Sequence, residues 1–229
     1  MSHSLHYKAL SALLCYPQQE LINAVPEITQ ALQAYPQVLA AVQPLLTHLT
    51  QTDLISLQEE YVATFDRTPT HSLHLFEHIH GEDRARGQAM VDLLDEYKAH
   101  GFEMASDELP DYVPLFLEFL SQCEPAEAQK LLGDAVHVLH HVATKLQANQ
   151  SPWAGVLQAA VSLSDVEPQP LIVPPVRDMD EAMETFGPGA DGIEPLLKPG
   201  IPAIAPIQFH GRQPQSMAAP QAAAKGVLS

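Results

Sequence analysis

The chain has 229 residues, 46% of them apolar, enough to bury a core without disulfide or metal staples. Its 28 acidic residues outnumber 11 lysines and arginines, for a formal net charge of −17. Such a field repels nucleic-acid phosphates and anionic headgroups, so it excludes a general nucleic-acid binder and argues for a cationic partner.

Helical periodicity runs through residues 1–167. Leu10, Leu13 and Leu14 give an i, i+3, i+4 face that Pro17 ends. No basic stretch precedes this apolar run and no small-residue cleavage site follows it, so the expected localisation is cytoplasmic. The stretches 18–34 and 37–50 are rich in Ala, Leu and Gln, with Pro26 and Pro44 as internal irregularities and Pro36 between them. Over 53–65, Leu54, Leu57, Tyr61, Val62 and Phe65 line one face, with Asp53 as N-cap. Residues 66–80, DRTPTHSLHLFEHIH, include Pro69 and keep no clean period, which predicts a long loop. Helix resumes near Gly81, with an apolar stripe of Met90, Leu93, Leu94 and Tyr97 and a stop at His100-Gly101. Ser106 or Asp111 is placed to cap the next helix, where Val113, Phe116, Leu117 and Leu120 recur and Pro114 falls in the first turn.

The longest helix spans about 125–148, with Leu131, Ala135, Val138 and Val142 as one seam and Leu132, Leu139 and Leu146 widening it. A last helix runs from Ser151-Pro152 to near Asp165. No β-hairpin signal and no membrane-length apolar run occurs, so no direct membrane insertion is expected. The fold class is all-α, a single bundle of about seven or eight helices. Residues 168–229 differ: they hold 11 of the 20 prolines and 6 of the 11 glycines. They predict a Pro/Gly/Ala-rich extended or disordered tail behind the 1–167 domain, with DMDEAMETF (178–186) as one or two helical turns.

Four histidines, His71, His74, His78 and His80, lie within ten residues. Imidazoles at that density suit a metal site, packed loop histidines, or a partner-contact surface. The spacing is not H-E-x-x-H, and no cysteine or carboxylate pair completes a ligand set. Between Asp53 and Glu127, 17 acids face 4 bases, a net of −13. That concentration is a solvated face or a surface that steers a cationic ligand. Asp107, Glu108 and Asp111 crowd one helix entrance, where a carboxylate satisfies orphan amides or meets a cation from a bound segment. No nucleophile elbow or phosphate loop occurs, and Cys15 and Cys123 read as core-packed thiols without a disulfide framework. The residues alone describe an acidic helical binder, with a His-rich metal-binding protein or metal-dependent helical enzyme as the alternative.

Two stretches go further. Residues 58–98, QEEYVATFDRTPTHSLHLFEHIHGEDRARGQAMVDLLDEYK, and 108–121, ELPDYVPLFLEFLS, resemble the two signatures of the NarJ-type nitrate reductase assembly chaperones. These belong to the broader TorD/DmsD-like redox-enzyme maturation class. The opening LHYKALSALLCYP fits as well, so the likeness covers about residues 5–165. Tyr61, Phe65 and Asp66 match the family's Y-x3-F-D element. Leu73, His74, Leu75, Phe76, Glu77, His78 and His80 match S-L-H-L-F-E-H-x-H. Gly81, Arg84, Arg86 and Gly87 match H-G-x-x-R-x-R-G. Pro110 and Asp111 match the Pro-Asp element associated with peptide recognition, while Tyr112 departs from the His of many relatives.

The resemblance implies an all-helical cytoplasmic chaperone, not an enzyme, with no cofactor of its own. It implies that the partner is the apo catalytic subunit of respiratory nitrate reductase, bound by its N-terminal segment. The subunit is thereby kept competent for molybdenum cofactor insertion and complex assembly before membrane docking. Cofactor-delivery proteins form a second class of partner. The partner segment would be a basic amphipathic helix in an apolar groove. Leu75, Phe76, Tyr112, Leu115 and Phe116 are the expected anchors, and Asp66, Glu82, Asp107 and Asp111 the expected rim.

Overall fold

A computed structural model describes residues 4–81, 84–104 and 108–171. Glu82, Asp107, Ser106 and the 178–186 run lie outside the described residues, as does all of the tail beyond Leu171. Among the described residues there are nine α-helices and no strand beyond one isolated bridge.

The core is assembled from α1 (Leu5–Leu14), α2 (Gln19–Leu32), α3 (Pro36–Gln51), α7 (Val113–Leu120), α8 (Pro125–Ala148) and α9 (Ala154–Ser162). Helix α9 lies at the centre, against α8, α3 and α1. Its sequence, AGVLQAAVS, is apolar nearly all round, as a helix buried on most faces must be. Val156, Leu157, Ala159 and Ala160 are each fully buried. Small residues let α9 approach α3 closely: a Cβ on Gly155 would stand 2.0 Å from the Ala41 carbonyl oxygen. Pro26 and Pro44 do not break α2 and α3. Both prolines are exposed, so carbonyls left without an amide donor can turn toward water. Pro36 is the first residue of α3, where its missing N–H is no loss.

A second layer holds α4 (Leu54–Tyr61), a single π-helical turn (Val62–Asp66), a 3-10 turn (Pro69–His71), α5 (Leu75–His80) and α6 (Ala85–Ala99). Asp53 caps α4 as its position predicts, its carboxylate accepting the Ser56 N–H at 3.0 Å. The segment 66–80 is not the loop its irregular pattern suggests, since it contains the 3-10 turn and α5. Six residues are too few to show a period, and the group that starts this helix is remote in sequence. Helix α6 is the least buried: Tyr97 alone is buried, while Met90, Leu93 and Leu94 are half-exposed. Cys123 is buried as expected, but Cys15 is exposed, because it caps the C-terminus of α1 rather than continuing its inner face.

Gly155→Ala sets two effects against each other. Helix propensity gains about 1 kcal/mol. Overpacking against backbone that cannot swing aside costs up to about 3 kcal/mol. Urea unfolding of the variant is expected to show a net loss of about 2 kcal/mol; an unchanged or raised midpoint would contradict the close α9–α3 contact.

Candidate functional site

The two signature segments lie side by side. The Leu75 N–H donates to the Asp111 carbonyl at 3.1 Å, and the Val113 N–H donates to the Leu73 carbonyl at 2.8 Å. This pairs His74 with Tyr112 in one antiparallel bridge. Asp111, expected at an exposed rim, is 0% exposed. Nor does it cap α7: the residue before that helix is Tyr112, and it makes no side-chain cap bond. The Asp111 carboxylate turns to α5 instead. Oδ2 accepts the Phe76 N–H at 3.0 Å, and Oδ1 faces His74 Nδ1 at 3.3 Å. It therefore supplies α5 with a cap from 35 residues away, at a helix end whose dipole favours an anion. The hydrogen bond to Asp111 raises the His74 pKa above its ordinary value, although burial pulls the other way.

Around this junction the hydroxyls of three tyrosines reach the backbone or one another. Tyr97 donates to the Pro110 carbonyl at 2.7 Å, and Tyr61 donates to the Leu14 carbonyl at 2.8 Å. The Tyr61 and Tyr112 hydroxyls are 3.3 Å apart. Burial pushes the Tyr112 phenol up to about 12 and raises those of Tyr61 and Tyr97 further. Tyr61 and Phe65 pack edge-on to Trp153 at 5.8 and 5.7 Å.

The sequence-predicted residues divide by burial. Tyr61, Phe65, Leu73, Leu75, His78, Pro110, Asp111 and Phe116 are buried. Leu75 and Phe116, expected as groove anchors, are therefore core residues. His74, Phe76, Glu77, His80, Arg86, Tyr112 and Leu115 are half-buried, whereas Asp66 and Arg84 are exposed. Glu77 accepts from Arg86 at 3.0 Å and from the Ser72 hydroxyl, bracing the start of α6 against α5.

The four clustered histidines serve separate partners. His71 Nδ1 contacts the Thr64 carbonyl and its Nε2 contacts Asn149. His78 Nε2 meets the Ser72 carbonyl at 2.8 Å, while His80 packs on Phe76. Among the described residues, the one cluster of three or more His, Cys or carboxylate side chains close enough to share an ion is Glu96, His100 and Glu127, where Lys130 pairs with Glu127 at 3.2 Å.

Beyond the junction, a recess of about 350 Å³ opens between the end of α6 and α7. Tyr97, Phe102, Met104, Leu115 and Phe119 form its apolar wall. Phe119 is braced by Tyr97 and Phe102 at ring separations of 4.5 and 5.4 Å. Glu103 and Glu118 stand at its edge, exposed and without an ion pair among the described residues. Of this lining the sequence marks Leu115 as a binding residue and Tyr97 only as the end of the α6 stripe. Phe102 and Met104 follow the Gly101 stop and read there as connector. A recess of about 520 Å³ beside the π-helical turn mixes Tyr16, Ile55 and Val62 with Glu59 and Arg67. Its arginine suits a cationic segment less well.

The model of the family described as nitrate reductase delta subunit matches residues 28–159. The chain is 39% identical over 160 residues to the nitrate reductase molybdenum cofactor assembly chaperone NarJ of Escherichia coli strain K12, covering 68% of each protein. It is 23% identical over 160 residues to the nitrate reductase-like protein NarX of Mycobacterium tuberculosis strain H37Rv, covering 70% of this chain and 24% of that one. Among solved structures it is similar to one described as a redox enzyme maturation protein from Archaeoglobus fulgidus. The TM-score is 0.51 at 22% identity, over 69% of this chain and 91% of that one. That likeness concerns the fold.

His74 has a folded pKa above its ordinary 6.5, so its pairing contributes stability that is fully present below 6.5. The contribution is lost as pH rises through the raised value. In Asp111→Asn, which keeps the Phe76 bond but removes the charge, an NMR titration is expected to place the His74 pKa at or below the ordinary value. Asp111→Ala is expected to cost about 3 kcal/mol in urea unfolding, as it removes a buried carboxylate and strands the half-buried Phe76 amide and His74 imidazole. An unmoved His74 titration in Asp111→Asn would contradict this assignment.

Proposed function

The chain belongs to the nitrate reductase delta subunit family, and from that membership we propose that it is a molybdenum cofactor assembly chaperone for nitrate reductase. Its helical domain, residues 1–167, binds the N-terminal segment of the apo catalytic subunit. It holds that subunit competent for cofactor insertion before membrane docking, in the cytoplasm, where proteins that deliver the cofactor are further partners. No helix of the described residues is long and apolar enough to cross a membrane.

The observation that carries the reading is the recess between α6 and α7, apolar within and edged by Glu103 and Glu118. A basic amphipathic helix of about 15 residues would be about 22 Å long. Its apolar side would meet Phe102, Met104 and Leu115, and then the half-exposed stripe of Met90, Leu93 and Leu94 that ends at Tyr97. Each well-buried anchor contributes about 1.5–3 kcal/mol before ordering costs. An exposed rim pair adds under about 1 kcal/mol. Apolar contact therefore sets affinity, while the acids set orientation and on-rate.

A peptide copying the first ~15 residues of the catalytic subunit provides the test, by calorimetry and stopped flow. Phe102→Ala and Leu115→Ala are each expected to weaken binding about tenfold or more. Glu103→Lys with Glu118→Lys should slow association and flatten its salt dependence, with a smaller effect on dissociation. Binding that survives both apolar truncations unchanged would place the partner elsewhere.

A further inference from the structure

Helix α8 places His137, His140, His141, Thr144 and Lys145 at i, i+3, i+4, i+7 and i+8, which is one helical face. Residues Pro168–Leu171 run across that face and close a pocket of about 260 Å³ against it. Three contacts seat the crossing segment. Gln129 donates to the Leu163 carbonyl at 2.7 Å. Val166 lies over Gly133, where a Cβ would come within 2.9 Å of its Cγ2. The Gln169 N–H donates to His137 Nδ1 at 2.9 Å. The pocket thus has a helix for one wall and a pinned length of chain for the other.

A backbone amide can only donate, so His137 Nδ1 is the acceptor and the proton of the neutral ring sits on Nε2. The lining offers imidazole and ammonium donors and no carboxylate. Lys145 has no ion pair among the described residues, whereas Arg86, Lys98 and Lys130 each hold a carboxylate. Burial lowers the His141 pKa, and the charged groups that lower it further, His78 on α5 and Lys145 and His140 on α8, are all basic. The acids on the packed elements nearest in sequence are Asp134 on α8 and Asp165 and Glu167 on the crossing segment, all exposed. Within the lining itself Lys145 supplies a positive charge that no carboxylate of the lining offsets, in a chain of net charge −17.

We propose that this pocket binds the phosphate group of a small molecule. An ammonium and adjacent imidazoles form charge-assisted hydrogen bonds to phosphate oxygens. The Nε2–H of neutral His137 stays free to donate to such an oxygen while its Nδ1 holds the Gln169 amide. The volume exceeds that of one phosphate but falls below that of a typical drug-sized site, which fits a phosphate on a compact carrier. The site lies on α8, apart from the recess between α6 and α7, and stands or falls independently of the client reading.

The full chain, labelled at its histidine side chains, is titrated with inorganic phosphate and with ribose 5-phosphate at fixed ionic strength, and the imidazole resonances are followed by NMR. Saturable shifts confined to His137, His140 and His141 are expected. Lys145→Gln and His140→Gln, both at exposed positions, are each expected to raise the Kd about tenfold while leaving the unfolding midpoint unchanged. Tighter binding of ribose 5-phosphate assigns the site to a phosphate ester, and equal binding to free phosphate; either supports the proposal. No saturable shift below about 10 mM, an equal response to chloride, or a Kd unaffected by Lys145→Gln would overturn it.

Discussion

One buried carboxylate joins the two halves of the site. Asp111 is withdrawn from solvent and accepts the Phe76 amide while facing His74. Burying an anion is unfavourable unless donors surround it. Here the donors are an orphan amide at a helix start and an imidazole whose protonation the carboxylate favours. The carboxylate fixes where α5 begins. The paired backbones of Leu73–Leu75 and Asp111–Val113 fix where α7 begins. Glu77 and Arg86 then carry the constraint from α5 into α6. The recess between α6 and α7 follows from this chain of contacts, so Asp111 shapes the recess without lining it.

Charge and burial divide the surface into regions with different chemistry. Around the recess, glutamates remain unpaired at the edge of an apolar wall, an arrangement that attracts a basic amphipathic segment and repels an acidic one. The helix beside it, α6, keeps only Tyr97 fully inside. An element with so little buried surface opens at low free-energy cost, which leaves that wall of the recess adjustable. The α1–α3 and α7–α9 core, by contrast, is closed by near-complete burial and by the close α9–α3 approach at Gly155. Rigid core and adjustable edge are what a protein that holds an unfinished partner requires.

Periodicity exposed the long helices well. Of the α8 seam, Ala135, Val138 and Val142 are buried where the pattern placed them, while Leu131 is half-buried. Asp53 and Gly101 act as the cap and stop that their residue types suggest. The failures share a physical origin. Helix α5 is short and is capped by a residue far away in sequence, and local pattern cannot report a non-local cap. Asp111 looked like a local N-cap or a rim charge for the same reason. Phe102 and Met104 sit in irregular chain, where no period marks an apolar residue as half-buried. Many of the signature residues, such as Tyr61, Leu75 and Phe116, are buried and hold the junction of the two segments together from inside.

The central claim is that the staple at Asp111 presents an apolar, acid-edged recess to the leading segment of the reductase's catalytic subunit. A photo-crosslinking peptide of that segment, with the reactive group stepped along its apolar face, reads the contact surface directly. The account predicts adducts on Phe102, Met104, Leu115 and Phe119, abolished by excess unlabelled peptide. Competable adducts confined to the α2–α3 face or to the π-helical turn would contradict it.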